Sequence, residues 1–260
     1  MTIISTIIIC ILAGMGAGLG TGFAGMSAAV VISPMLITFL GMNPYEAIGI
    51  ALASDVLASA VSAYTYGKNK NIDLKNSKTL FISVLIFTGI GAIIAHLVPP
   101  TTMGNLTLYA SLLMGIKFFR ESFKEVKPTT PRKFNGALGT LLPILCGSLI
   151  GFICGFIGAG GGIMMLILLT TVLGYELKKA VGTSVFIMTF TALFGATSHF
   201  TLQGIFPDPL ILIICVLSTL TFALLGARFA NRTDIKTLKR AMGIILMILG
   251  ISMIVFSHFV

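Results

Sequence analysis

The chain repeats itself. Cys154-Gly-Phe-Ile-Gly-Ala-Gly-Gly-Gly-Ile163 is a glycine run inside an otherwise unbroken apolar stretch, and its counterpart is Gly20-Thr-Gly-Phe-Ala-Gly-Met-Ser27. At a single offset of 133 residues, without gaps, Gly14 meets Gly147, Gly18 meets Gly151, Gly22 meets Gly155, Phe23 meets Phe156 and Gly25 meets Gly158. The register continues through Leu36/Leu169, Thr38/Thr171, Leu40/Leu173, Gly41/Gly174, Ala47/Ala180 and Gly49/Gly182. So many identities in one register indicate an internal duplication. The expected organisation is a first repeat over residues 1–116, a linker over 117–135 and a second repeat over 136–260, each repeat carrying one glycine-broken segment.

The setting of these repeats is a bilayer. The 260 residues are 56% hydrophobic and only 10% charged, too few charges to cover a soluble domain of this size. Apolar runs of about 20 residues recur, enough to cross a hydrocarbon core as helix. The net charge of +9 would suit a nucleic-acid partner, but nearly all Lys and Arg lie in four short connecting loops. That is the pattern of cytoplasmic loops under the positive-inside rule, and no nucleic acid is expected. Cys10, Cys146, Cys154 and Cys215 are scattered through apolar runs without metal-ligand spacing, so they read as small buried side chains, and neither a metal nor another cofactor is expected. No basic residue precedes the first apolar run, so Met1 to about Gly20 reads as part of the fold and not as a signal peptide.

In order, an apolar region from Ile3 to about Leu40, interrupted around Gly20 to Gly25, leads to the turn Gly41 to Glu46. Asn43 suits an N-cap, Pro44 the first helical position and Glu46 a capping-box acid, predicting a helix from Pro44 to about Tyr66. Spans follow over Thr79 to Val98 and Leu106 to about Phe119, joined by an uncharged turn over Pro99 to Asn105. The second half repeats the plan, with Gly136 to Leu173 broken by glycine, a helix from Leu177 to about Thr201, a turn over Gln203 to Pro209, and spans over Leu210 to Arg228 and Ala241 to Phe259.

Loop charge now orients the halves. Lys68 to Lys78, Lys117 to Lys133, Lys178/Lys179 and Arg228 to Arg240 are each separated by two segments, so all four can be cytoplasmic. The turn Gly41 to Glu46 lacks basic residues and falls outside, whereas its equivalent, Gly174 to Lys179, falls inside. Lys68 to Lys78 is inside and its equivalent Gln203 to Pro209 is outside. Equivalent loops switch sides, which predicts two inverted-topology repeats, as recur in secondary transporters. The expected fold is an all-α polytopic membrane protein in which each repeat has a glycine-broken pair plus three spanning helices. The pairs read either as two full spans or as re-entrant hairpins. Both termini come out external.

At Gly155-Phe-Ile-Gly-Ala-Gly-Gly-Gly-Ile-Met164 and Lys179-Ala-Val-Gly-Thr-Ser184 the chain resembles the TauE/SafE family of sulfite and organosulfonate exporters. The resemblance covers both halves. The first half departs from it: Gly20 to Ser27 lacks the run of glycines, and Ile50-Ala51 stands where the second half has Thr183-Ser184. The resemblance implies a cell-membrane permease for small sulfur-containing oxyanions, acting as an exporter.

An anion inside a membrane needs donors or positive potential. Spans without a central Lys or Arg can supply these through the free N–H groups of broken helices, which glycine lets a ligand approach closely. Irregular backbone at membrane depth is tolerated where it is buried in protein or lines a watery cavity. The expected cradle is therefore Gly22, Gly25, Met26 and Ser27 with Gly158, Gly160, Gly161 and Gly162. Close helix packing is the alternative role for such small residues. Thr183 and Ser184 are the expected hydroxyl donors. Ala51, Asp55, Ala58, Ser62 and Thr65 share one helix face, and Ser184, Met188, Thr191, Gly195 and Ser198 share the equivalent one, as a pore lining or a packing seam. Asp55 is the one acid deep within a span and is the candidate for proton coupling, since such groups usually face a cavity and carry function. Ser54, Ser62, Thr191 and His199 are secondary candidates, while His96 and His258 read as interfacial.

Two other classes compete. A passive anion channel fits the same composition. An intramembrane serine protease is suggested only by Gly25-Met-Ser-Ala28, which faintly resembles the Gly-x-Ser-Gly of rhomboid proteases but has the wrong fourth residue. No enzymatic activity is expected. Glycine-rich faces allow a homodimer without requiring one.

Overall fold

A computed structural model describes residues 2–74, 77–123, 137–158, 161–204, 206–230, 237, 240, 243–244, 246–248, 250–251 and 255. It is all-helical, with no strand among the described residues. The helices are α1 (Ile3–Ala24), α2 (Ile32–Leu40), α3 (Pro44–Lys68), α4 (Lys78–Ala95), α5 (Pro100–Ser122), α6 (Ala137–Ile157), α7 (Gly161–Ile167), α8 (Leu177–Gln203) and α9 (Pro209–Ala230). A 3-10 turn, Ala28–Val30, precedes α2, and a π-helical turn, Leu168–Val172, follows α7. The described positions beyond 236 are also helical. Six of these helices, α1, α3, α4, α6, α8 and α9, are long and apolar enough to cross a membrane.

Local chemistry accounts for the element ends. Asn43 Oδ1 accepts from the Tyr45 N–H at 3.0 Å, and Pro44 occupies the first helical position of α3. Glu46 reaches across to the second half, where its Oε1 accepts from the Asp208 N–H at 3.4 Å. The expected turn over Pro99 to Asn105 is mostly helix. Pro100 starts α5, because a proline at N1 forfeits only an N–H that no helical carbonyl would have met. The same helix runs through Ser122, into the start of the expected linker.

The glycine-broken pairs are lopsided. α1 has 22 residues and α6 has 21, each about 32 Å long, whereas α2 has 9 and is about 14 Å long. One arm of each pair can cross the hydrocarbon core alone and the other cannot.

Packing follows the duplication. α1 lies along α9, and its equivalent α6 lies along α4. The seams are glycine ladders one turn apart. A Cβ at Gly14, Gly18 or Gly22 would run into Ser218, Thr219 or Ala223 of α9, and one at Gly147, Gly151 or Gly155 would run into Ser83, Val84 or Thr88 of α4. Such close backbone approach is how small residues drive helix association in lipid, where apolar burial gives no net pull. At the centre α3 packs on α8, and the two run antiparallel. Glu46 at the start of α3 meets Asp208 beyond the end of α8, and Thr183 near the start of α8 meets Asp73 beyond the end of α3.

Candidate functional site

The two glycine breaks cross in the middle of the molecule. α1 ends at Gly25 in the left-handed region, φ 62°, and α6 is followed by Gly158 with φ 74°, so equivalent residues make equivalent reversals. Glycine alone adopts this conformation without a steric penalty. The breaks touch each other and the central helices α3 and α8. Ser27 Oγ donates to the Gly158 carbonyl at 3.4 Å, a long hydrogen bond. The Gly25 carbonyl lies directly against Gly162. A Cβ at Gly25 would sit 3.4 Å from Ser184 Oγ and 3.5 Å from Val181. By the same 133-residue shift, Gly158 faces Ile48 and Ala29.

Asp55 stands beside this crossing. It is fully buried on α3, and neither carboxylate oxygen makes a well-formed hydrogen bond. Its polar neighbours are the hydroxyls of Ser27 and Thr21 and the Ala28 N–H, all donors, with Cys154 also close. The sequence equivalent of Asp55 is Met188, whose sulfur meets Gly162. One break is thus backed by an acid and the other by a thioether.

The expected site residues divide into groups. Gly25, Ser27, Gly158, Gly162, Ser184 and Asp55 come together. Met26 is buried at the same break, its carbonyl accepting from Thr21 Oγ1 at 2.8 Å. Gly161 packs on Cys154 Sγ, and Gly22 packs on the α9 backbone. Gly160 lies outside the described residues, as does His258. Thr183 stands apart from the crossing, accepting from the Asp73 N–H at 3.0 Å and pinning the loop after α3. Ser54, Ser62 and Thr191 turn their hydroxyls back onto carbonyls of their own helices, those of Ile50, Ala58 and Met188, and Ser184 at the crossing does the same onto Val181. The small faces of α3 and α8 are largely buried, forming the α3–α8 seam and the backing of the breaks.

Sequence reasoning missed Thr21 and Cys154, which occupy equivalent positions one turn before their breaks and flank Asp55. The 133-residue register pairs them, and that was the available signal. It also missed an aromatic cluster at the loop end opposite Lys68. The Tyr45 ring stacks on His96 at 4.8 Å, His96 lies 5.8 Å from His199, and a His199 ring nitrogen, Nε2, is 3.0 Å from the Gly155 carbonyl. The Tyr45 hydroxyl donates to the Ala95 and Val98 carbonyls. His96 lies in the turn after α4, and burial holds its imidazole below the ordinary value. Among the described residues no cluster of three or more His, Cys, Asp or Glu could hold a metal ion.

Comparison with known proteins adds two findings. A family model described as "Sulfite exporter TauE/SafE" matches residues 10–253. Three curated relatives are each similar to nearly the whole chain. "Probable membrane transporter protein YunE" of Bacillus subtilis is 24% identical, covering 95% of this chain and 97% of its own. A "probable membrane transporter protein" of Methanocaldococcus jannaschii is 25% identical over 94% of each chain. One of Haemophilus influenzae is 26% identical, over 95% of this chain and 97% of its own.

Proposed function

The chain belongs to the sulfite exporter TauE/SafE family, and from that premise we propose that it is a secondary transporter moving small sulfur-containing oxyanions, sulfite or organosulfonates, outward across the cell membrane. The observation that carries this reading is the crossing of the two breaks beside a buried acid. Gly25, Met26 and Ser27 with Gly158, Gly160, Gly161 and Gly162 form the anion cradle, Ser184 adds a hydroxyl, and Gly22 holds the first break against α9. Thr183 acts one step away, through the loop it pins.

Two inverted repeats, residues 1–116 and 136–260, generate the movement. The antiparallel packing of equivalent helices α3 and α8 supports the inversion, and so does the exchange of partners between α1–α9 and α6–α4. In this conformation Gly25 and Gly162 touch, so an anion enters the cradle only when the breaks separate. Asp55 couples the cycle to protons, taking one up as an anion arrives beside it and releasing it as the anion leaves, because two like charges at that depth repel. Both termini face outward, with the basic loops inside.

A thermal-shift screen of purified protein against sulfite, sulfate, thiosulfate, sulfoacetate, taurine, acetate and chloride tests the substrate class. A ligand for the folded state raises apparent stability by mass action. Selective stabilisation by a sulfur oxyanion is expected. A response confined to acetate or chloride would remove the proposed substrate while leaving a transporter.

A further inference from the structure

A polar cavity of about 250 Å³ opens at the basic-loop end of the molecule, lined by Thr65, Tyr66, Asn69, Asn71, Lys178 and Ala227. It lies away from the crossing of the breaks, between the end of α3, the start of α8 and α9. Its volume lies just under the roughly 300–1,000 Å³ of ordinary ligand pockets, enough room for a small guest. Among the described residues its lining holds one cation and no acid. The Lys178 ammonium and the Tyr66 phenol both line this space, so each can offer a donor to a guest within it.

The walls are fixed in advance. Asn71 N–H donates to the Tyr66 carbonyl at 3.0 Å, and Asn69 Nδ2 donates to the Thr65 carbonyl at 3.0 Å. The Asn71 carbonyl presses on Gly182, where a side chain would not fit, and the Asp73 N–H is held by Thr183 Oγ1. Thr183 therefore has a role here, in holding the cavity's loop.

The duplication sharpens the reading. Shifted by 133 residues, Lys178 corresponds to Tyr45, Tyr66 to His199 and Ala227 to Ile94. The same place in the other repeat is filled by the stacked rings of Tyr45 and His96 with His199 behind them. At equivalent positions one end carries Lys178 and Tyr66 where the other carries the rings of Tyr45 and His199.

We propose that the Lys178 cavity is an entry site for the transported oxyanion, occupied before the anion reaches the central breaks. The proposal rests on the transport reading above and adds a second, peripheral anion site to it. Lys178 supplies the charge, and the Tyr66 hydroxyl and the Asn71 side-chain amide supply directed hydrogen bonds. A compact sulfur oxyanion such as sulfite or sulfoacetate matches the volume and the donor set.

The test is calorimetric titration of purified full-length protein with sulfite and sulfoacetate, and with inorganic phosphate as a competing oxyanion. It is paired with flux through proteoliposomes. Lys178→Gln is expected to weaken sulfur-oxyanion binding by about tenfold and to raise KM from the basic-loop side, with kcat and thermal stability unchanged. Lys178→Arg restores both. Wild-type affinity and KM in Lys178→Gln would overturn the entry site while leaving the transporter standing. Lys178-dependent binding of phosphate but not of sulfur oxyanions would also overturn it. A wild type that neither binds nor moves any sulfur oxyanion would overturn both readings.

Discussion

At the residue scale the structure turns on how a buried carboxylate is surrounded. Asp55 has donors on its near side and no well-formed hydrogen bond. If it is the proton carrier, Asp55→Asn keeps the shape of the site and removes the titration. Exchange of labelled sulfite at equal pH should then persist, while the rate loses its pH dependence. A variant with unchanged pH dependence would end the role assigned to Asp55. His96 makes a separate prediction. Burial lowers its folded pKa from an ordinary value of 6.5, so below that pH the unfolded chain binds more protons than the folded one. Stability should be intact above 6.5 and fall as the pH drops toward the folded value. His96→Gln should flatten that loss in thermal melts from pH 7 to 5. Asp55 was legible as an isolated acid in an apolar span, and Ser184 as a hydroxyl beside the motif. The aromatic cluster was not, because His96 and His199 sit 103 positions apart at helix ends and nothing in local pattern pairs them.

At the scale of elements, glycine has two separate uses that the sequence shows alike. Gly25 and Gly158 break helices by adopting positive φ, whereas Gly18 and Gly151 stay helical and let α9 and α4 approach. Gly18→Leu and Gly151→Leu should each lower thermal stability by more than Gly25→Ala. The leucines must push neighbouring helix backbones apart, a change beyond the ~1–3 kcal/mol typical of overpacked cores. Gly25→Ala meets a φ penalty of roughly 1–2 kcal/mol and a contact with Val185 at 3.1 Å. Melting temperatures in one detergent rank the three, and a Gly25→Ala protein less stable than the ladder variants would contradict the assignment. The helix starts at Pro44 and Leu177 were readable from capping chemistry and register. The early start of α5 was not, because Pro99-Pro100 signals a turn and a helix N-terminus equally. Nor could periodicity give the lopsided arms, since both arms of a break are apolar throughout and differ in length only by where the chain turns.

At the scale of the whole molecule, the duplication organises everything else. One shift of 133 residues relates the helix order, the two ladders, the two breaks and their neighbours. Departures from it mark where the halves differ in chemistry: Asp55 against Met188, Lys178 against Tyr45, Tyr66 against His199. Those differences lie along the α3–α8 axis, from Lys178 and Tyr66 through a buried acid to the rings of Tyr45 and His199. In the proposed transport cycle, that asymmetry within a symmetric scaffold would set the direction of movement.

The decisive measurement is flux of labelled sulfite across proteoliposomes containing the purified protein, with and without an imposed proton gradient. Protein-dependent sulfite movement is expected to saturate, to respond to the gradient in wild type and to lose that response in Asp55→Asn. Saturable movement of some other solute without any of sulfite or an organosulfonate, or sulfite flux indifferent to the gradient in both proteins, would contradict proton-coupled sulfur-oxyanion transport.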